Sequence, residues 1–225
     1  MKKIGILDKL KDAGVIAVVR GKNKEDAINA ADAIIAGGMK GIELTFTIPC
    51  AQEVIEELTK KYMDREDIVI GAGTVLDAIT ARIAIMAGAE YIVSPIFDHE
   101  TAEICNLYQI PYLPGCISIT EMKEALKSGV DIIKLFPGSV FEPKIIKAFK
   151  APLPQLNIMP TGGVNLDNMN DWFESGVVAV GVGGNLLAPA EKGDFEEVKC
   201  IASQYISKYN QIKKNINSKN IFNER

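Results

Sequence analysis

Short β-branched runs alternate with amphipathic segments along almost the whole chain, and this alternation restricts the possible folds more than any other feature. The runs are VIAVVR (15–20), GIELTFT (41–47), IVIGAGT (68–74), YIVSP (91–95), PYLPG (111–115), DIIKLFP (131–137), NIMPTGG (157–163) and VVAVGVGG (177–184). Stretches of helical period lie between them. KEDAINAADAIIAGG puts Ala27, Ala30, Ala31, Ile34 and Ile35 on one stripe and stops at glycine. AQEVIEELTKKY, DAITARIAIMAGA, HETAEICNLYQ, TEMKEALKSG, EPKIIKAFK and LDNMNDWFESG behave alike, and DFEEVKCIASQYISKY follows the last run. Strands joined by helices need right-handed crossovers and give a parallel sheet. Eight such pairs in about 200 residues predict an α/β fold, a (β/α)8 TIM barrel in a single domain with a short N-terminal helix. The barrel is expected over residues 1–211, with a polar C-terminal tail at 212–225 that frays or adds a helical turn. An open doubly wound sheet would also alternate, but it does not account for the full count. GAGTVLD also lacks the third glycine of a dinucleotide-binding turn.

The 225 residues, 48% hydrophobic and 24% charged, can supply a large core. A net charge of −4 gives no electrostatic reason to expect nucleic acid or an anionic membrane as partner. No apolar run approaches a membrane span, and Asp8 and Asp12 interrupt the basic start, which argues against a signal peptide. The four cysteines, Cys50, Cys105, Cys116 and Cys200, form no CxxC pair and read as reduced core fillers of a cytoplasmic protein. The one histidine, His99, opens a predicted helix, is expected to be exposed and is given no role. A zinc site built from several histidines is impossible, and no metal and no cofactor are expected.

In a barrel of this kind, chemistry belongs at the C-terminal ends of the strands. Arg20 ends the first run, and Glu43, Thr45 and Thr47 alternate along the second and so share a face. Thr74 ends the third run, Ser94 and Pro95 the fourth, Thr161 with Gly162 and Gly163 the seventh, and Gly183, Gly184 and Asn185 the eighth. Lys134 stands in the sixth run between Ile132, Ile133, Leu135 and Phe136. Burying an unpaired ammonium is so costly that the group usually gives up its proton. Lys134 is therefore either a neutral amine kept for chemistry or half of a structural ion pair with Glu43. A neutral amine attacks a ketone and forms a Schiff base. The protonated imine stabilises a neighbouring carbanion as an enamine, and a nearby carboxylate moves the protons. Lysine and glutamate without a metal suffice for aldol chemistry. TGG and GVGG let the backbone approach a phosphate, although each glycine pair is equally compatible with a plain turn, and each threonine with a plain β-former.

IELTFT, IVIGAGTVLD, YIVSP, YLPG, IIKLFPG, MPTGGVNLDN and VGVGGNLL together resemble the 2-keto-3-deoxy-6-phosphogluconate aldolase family, also called the 2-keto-4-hydroxyglutarate aldolase family. The likeness runs from about residue 5 to about residue 210. KLFPG followed by PTGG at this spacing is its specific part. The resemblance implies a class I aldolase on a (β/α)8 barrel, usually a homotrimer, acting on a small keto acid, most often phosphorylated. It implies Lys134 as the Schiff-base lysine and Glu43 as the acid/base group. It implies carboxylate contacts near Thr74 and Thr47, a stereochemistry-determining Thr161, and phosphate contacts at Gly162, Gly163, Gly184 and Asn185, with Pro95 and Phe136 as pocket walls. Many members carry arginine where this chain has Thr47, and Arg20 is the residue expected to supply that charge. The strand-eight motif often reads GGS, where this chain has GGN. Two rival readings stand beside the aldolase: a phosphate-binding barrel isomerase or synthase with Lys134 as a point charge, and a non-catalytic barrel that binds a small acid.

Overall fold

The computed structural model describes residues 1–223. Helix α1 (Lys2–Ala13) leads into β1 (Val15–Val19), α2 (Lys24–Ala36), β2 (Gly41–Thr45), α3 (Ala51–Lys61), β3 (Val69–Gly73), α4 (Ala78–Met86), β4 (Ile92–Val93) and α5 (His99–Leu107). Then come β5 (Tyr112–Leu113), β6 (Gly115–Cys116), α6 (Ile119–Lys127), β7 (Ile133–Leu135), α7 (Ile145–Lys150), β8 (Ile158–Pro160), α8 (Met169–Glu174), β9 (Val180–Val182), α9 (Gly184–Leu187) and α10 (Phe195–Asn223). Every named pairing is parallel. Six strands form one sheet in the order β5-β4-β3-β2-β1-β9, and three form another in the order β6-β7-β8. Only Pro114 separates β5 from β6. Thr161, just past β8, bridges Gly181 of β9, and the Val178 N–H donates to the Ile158 carbonyl at 3.1 Å. The chain is thus an α/β fold of parallel strands in curled sheets.

The two-residue period of the strands sorts their side chains into two clusters. Ile16, Val69, Tyr91, Val93, Leu113, Ile132, Met159 and Ala179 meet on the concave side, where Ile6, Leu10 and Ala13 of α1 close one end. The alternate residues, among them Ala17, Ile42, Leu44, Ile70, Ile92, Ile133 and Leu135, pack outward against the helices. Caps fix where several helices begin. Asn23, Asp77, Asp98 and Ser118 each accept a backbone N–H of the first turn, and Ser118 forms a capping box with Glu121. The loops that carry the polar residues therefore leave the strands at defined angles.

The strands end earlier than the β-branched runs suggest. Arg20, Thr47, Thr74, Ser94, Pro95, Gly183, Gly184 and Asn185 stand in the segments that follow the strands. The reason is local. At Thr47 the Ile48 N–H already turns back to the Thr45 carbonyl at 3.0 Å, so the ladder has no further partner. The run at 111–115 is broken at Pro114, which has no N–H to give a ladder, and its carbonyl accepts the Lys134 N–H at 2.9 Å. His99 opens α5 with an exposed ring, as expected. The cysteines divide against expectation: Cys105 and Cys116 are buried, whereas Cys50 and Cys200 are exposed. Cys50 is pushed outward at the left-handed N-cap of α3 (φ 58°). Beyond residue 211 the chain continues α10 as far as Asn223, and Ile212 is buried. Residues 224–225 of the expected tail lie outside the described residues. Among the described residues no helix is long and apolar enough to cross a membrane.

Candidate active site

Glu43 and Lys134 arrive on the concave side because both sit at the inward parity of their strands. Glu43 is in the middle of β2, in register with Val18 of β1 and Gly71 of β3. Lys134 is in the middle of β7, in register with Gly115 of β6 and Met159 of β8. Their side chains span the interior. Lys134 Nζ lies 3.2 Å from Glu43 Oε1, with the two side chains 6% and 1% exposed. A pair this dry is costly unless both groups are well placed, so its presence in an otherwise apolar layer needs a purpose. Glu43 Oε2 has no hydrogen-bond partner. The Lys134 amine also stands 5.1 Å from the centroid of the Phe136 ring.

Neighbouring strands give way to these side chains. A Cβ on Gly73 would stand 2.2 Å from Glu43 Oε1, and a Cβ on Gly181 would stand 2.2 Å from Thr161 Oγ1. Thr161 is buried, and its hydroxyl has no partner. Gly115 is held against the Pro95 carbonyl, which a Cβ would approach to 2.1 Å. These are requirements for space. Gly162 and Gly163 answer a conformational one, with φ of 91° and 77° after β8.

A cavity of about 620 Å³ opens beside this interior. Arg20, Phe136, Thr161, Gly162, Gly163, Gly184 and Asn185 all line it, so seven of the residues expected from the sequence converge on one space. Its volume suits a small organic ligand. Lys134, Glu43, Thr47, Thr74 and Pro95 are not part of its lining. Phe136 joins the two regions, since it lines the cavity and faces the Lys134 amine. Lys22, and Asn165 within the MPTGGVNLDN motif, have no role in the sequence reading and also line the cavity. Lys22 reaches across its rim to the Glu191 carbonyl at 3.1 Å.

Thr47 and Thr74 follow β2 and β3 in different ways. Thr47 is exposed, and its hydroxyl lies 2.7 Å from that of Thr45. The Thr45 hydroxyl donates to the Val19 carbonyl at 3.1 Å, so the proton between the two threonines comes from Thr47. Thr74 holds φ at 56°, rare for a β-branched residue and a cost of about 1–3 kcal/mol that surrounding structure must sustain. Among the described residues, no cluster of three or more His, Cys, Asp or Glu side chains could hold a metal ion.

The chain has counterparts among known proteins. The family model "KDPG and KHG aldolase" matches residues 6–201. The chain is 33% identical over 205 residues to a 2-dehydro-3-deoxy-phosphogluconate aldolase of Treponema pallidum, covering 89% of this chain and 96% of that one. It is 30% identical over 198 residues to a 2-dehydro-3-deoxy-6-phosphogalactonate aldolase of Escherichia coli, covering 88% and 95%. A crystal structure of the KDPG aldolase of Legionella pneumophila, with pyruvate captured as a covalent carbinolamine, superposes with a TM-score of 0.79 at 28% identity, covering 90% and 97%. With a family model that spans nearly its full length and relatives matched end to end, this chain belongs to the KDPG and KHG aldolase family.

Proposed function

We propose that this protein is a class I aldolase that cleaves 2-keto-3-deoxy-6-phosphogluconate to pyruvate and glyceraldehyde 3-phosphate through a Schiff base on Lys134, with 4-hydroxy-2-oxoglutarate, cleaved to pyruvate and glyoxylate, as a second substrate. The observation that carries this reading is the buried contact of 3.2 Å between Lys134 and Glu43, beside a cavity lined by polar groups. Moving one proton along that contact converts an ion pair into a neutral amine and a carboxylic acid, and the amine is the form that attacks a ketone.

In this reading Lys134 Nζ adds to the C2 carbonyl, and loss of water from the carbinolamine gives the protonated imine. Glu43 then takes the proton of the C4 hydroxyl as the C3–C4 bond breaks. The bond's electrons pass to the imine as an enamine, and the aldehyde leaves. Protonation at C3 and hydrolysis of the imine release pyruvate and restore Lys134. Arg20, Thr47 and Thr74 hold the pyruvate carboxylate. Thr161, whose buried hydroxyl is free to bond a ligand, orients the C4 hydroxyl and the aldehyde end. The backbone at Gly162, Gly163 and Gly184, with Asn185, holds the phosphate, and Pro95 and Phe136 wall the pocket. Gly162, Gly163, Gly184 and Asn185, which open on the same cavity as Thr161, support the phosphate end of this reading.

The finer architecture follows. Closure into a (β/α)8 barrel over residues 1–211, with β5 and β6 as one strand interrupted at Pro114 and 212–225 as a tail, is supported by the Thr161–Gly181 bridge. A homotrimer is supported by large apolar side chains left exposed around α4: Leu76 before it, Ile79 and Met86 on it, and Ile96 after β4. Four free thiols fit the cytoplasm. Pyruvate release measured under one set of conditions tests the reading. Faster release from 2-keto-3-deoxy-6-phosphogluconate than from 4-hydroxy-2-oxoglutarate supports the phosphate site, and release from neither contradicts the aldolase.

A further inference from the structure

Three buried side-chain polar atoms among the described residues have no hydrogen-bond partner: Thr161 Oγ1, Glu43 Oε2 and the Tyr91 hydroxyl. Leaving such a group unpaired costs about 1–3 kcal/mol, so each asks for a partner. Thr161 faces the cavity, where a ligand can supply one. Tyr91 has no such outlet, because it is fully buried and is not part of the cavity lining.

The backbone of β3 places Tyr91 next to Glu43. Gly71 and Gly73 are two residues apart on that strand and therefore share its inner face. A Cβ on Gly71 would stand 2.5 Å from the Tyr91 ring, and a Cβ on Gly73 would stand 2.2 Å from Glu43 Oε1. The Tyr91 ring and the Glu43 carboxylate thus fill successive niches on one strand, about 7 Å apart along its backbone. One is a donor and the other an acceptor, yet they do not bond each other directly. Burial first, and the charge of Glu43 second, hold the phenol well above its ordinary range, so it stays protonated and able to donate.

We propose that Tyr91 is a positioning residue for Glu43: one buried water accepts from its hydroxyl and donates to Glu43 Oε2, which keeps Oε1 turned toward Lys134. A water with these two partners satisfies both orphaned atoms at once. The inference rests on Glu43 being the acid/base group of the aldolase reading. The surrounding charges are few. Glu43 faces Lys134 from β7, while Val18 of β1 and Gly71 and Gly73 of β3 bring none. Tyr91 faces Glu43 and its neighbour Glu90, which accepts from the Ile70 N–H at 3.3 Å and from Lys9 at 3.4 Å. The α1 residues Ile6, Leu10 and Ala13 in the same cluster are apolar.

Tyr91→Phe keeps the ring over Gly71 and deletes only the donor. Three readouts test it: the pH profile of kcat, the thermal midpoint, and the pH midpoint of the Glu43 carboxyl carbon in 13C-labelled protein, identified by its loss in Glu43→Gln. Losing a donor to the carboxylate moves the carboxyl midpoint and the acid limb of kcat to higher pH, lowers kcat on that limb about tenfold, and leaves KM within about twofold. The thermal midpoint falls. 3-Fluorotyrosine at position 91 retains a donor and restores the wild-type direction of both midpoints. An unchanged carboxyl midpoint, or a thermal midpoint that rises because an idle hydroxyl has been removed, overturns the proposal. A shifted carboxyl midpoint in a protein that releases no pyruvate upholds the hydrogen bond and refutes the aldolase reading instead.

Discussion

The Glu43 carboxylate rests against the backbone of Gly73, one strand away, so closely that a Cβ at position 73 would stand 2.2 Å from Oε1. The place of the acid is therefore set by a side chain that a neighbouring strand lacks. Gly73→Ala must displace the carboxylate from the position in which Oε1 contacts Lys134. A displacement of that size at reacting groups costs about a hundredfold in rate. The expected result is kcat reduced by about that factor, with far-UV circular dichroism retained. Wild-type turnover in this variant would mean that the carboxylate need not sit where it does.

Lys134 and Glu43 neutralise each other in a dry layer. Lys134→Met leaves Glu43 as an uncompensated buried charge and is expected to lower the unfolding free energy by about 3–5 kcal/mol in urea titrations at neutral pH. Adding Glu43→Gln to that variant removes the charge and should recover most of the loss. Additive losses from the two substitutions would show that the residues do not act as a pair.

Arg20 lines the cavity at the end of β1. Arg20→Ala is expected to raise KM for the keto acid about tenfold or more, the value of a charge-assisted contact, with a smaller change in kcat. Thr47→Arg in the same background offers a cation from the next strand and should recover part of the affinity. Unchanged KM in Arg20→Ala would assign the carboxylate to the threonines alone.

Burial pushes the Cys105 and Cys116 thiols up from an ordinary 9.0 to about 12. Both stay protonated at neutral pH, while Cys50 and Cys200 lie exposed. A thiol reagent should label Cys50 and Cys200 in the native protein, and all four cysteines only after denaturation. The buried pair also contributes stability that is complete below pH 9 and is lost as the pH climbs toward 12, because the unfolded thiols ionise first. Peptide mapping after labelling, and thermal midpoints across that range, check both statements.

The strand and helix order is legible because β-branched runs and helical stripes are local signals, and the Lys134 anomaly is legible because an amine among Ile132, Ile133, Leu135 and Phe136 breaks the pattern. Strand ends are less so. Thr47 continues the alternation of Glu43 and Thr45 on paper, yet the chain turns before it, because a ladder ends where its partner ends. Cys50 and Cys200 look like core residues, but Cys50 precedes α3 at a left-handed cap and Cys200 falls on the exposed side of α10. Gly73, Gly181 and Tyr91 stay silent in the sequence for a deeper reason. Their importance lies in register: what Glu43 and Thr161 touch across a strand boundary is a property of pairing, not of composition.

The central claim is that the Lys134 amine condenses with a keto acid. Incubation with pyruvate and borohydride, followed by intact mass and peptide mapping, tests it most directly. The account predicts one reduced pyruvyl adduct per chain, on Lys134, and none in Lys134→Arg. Unmodified protein, or an adduct on a different lysine, would contradict it.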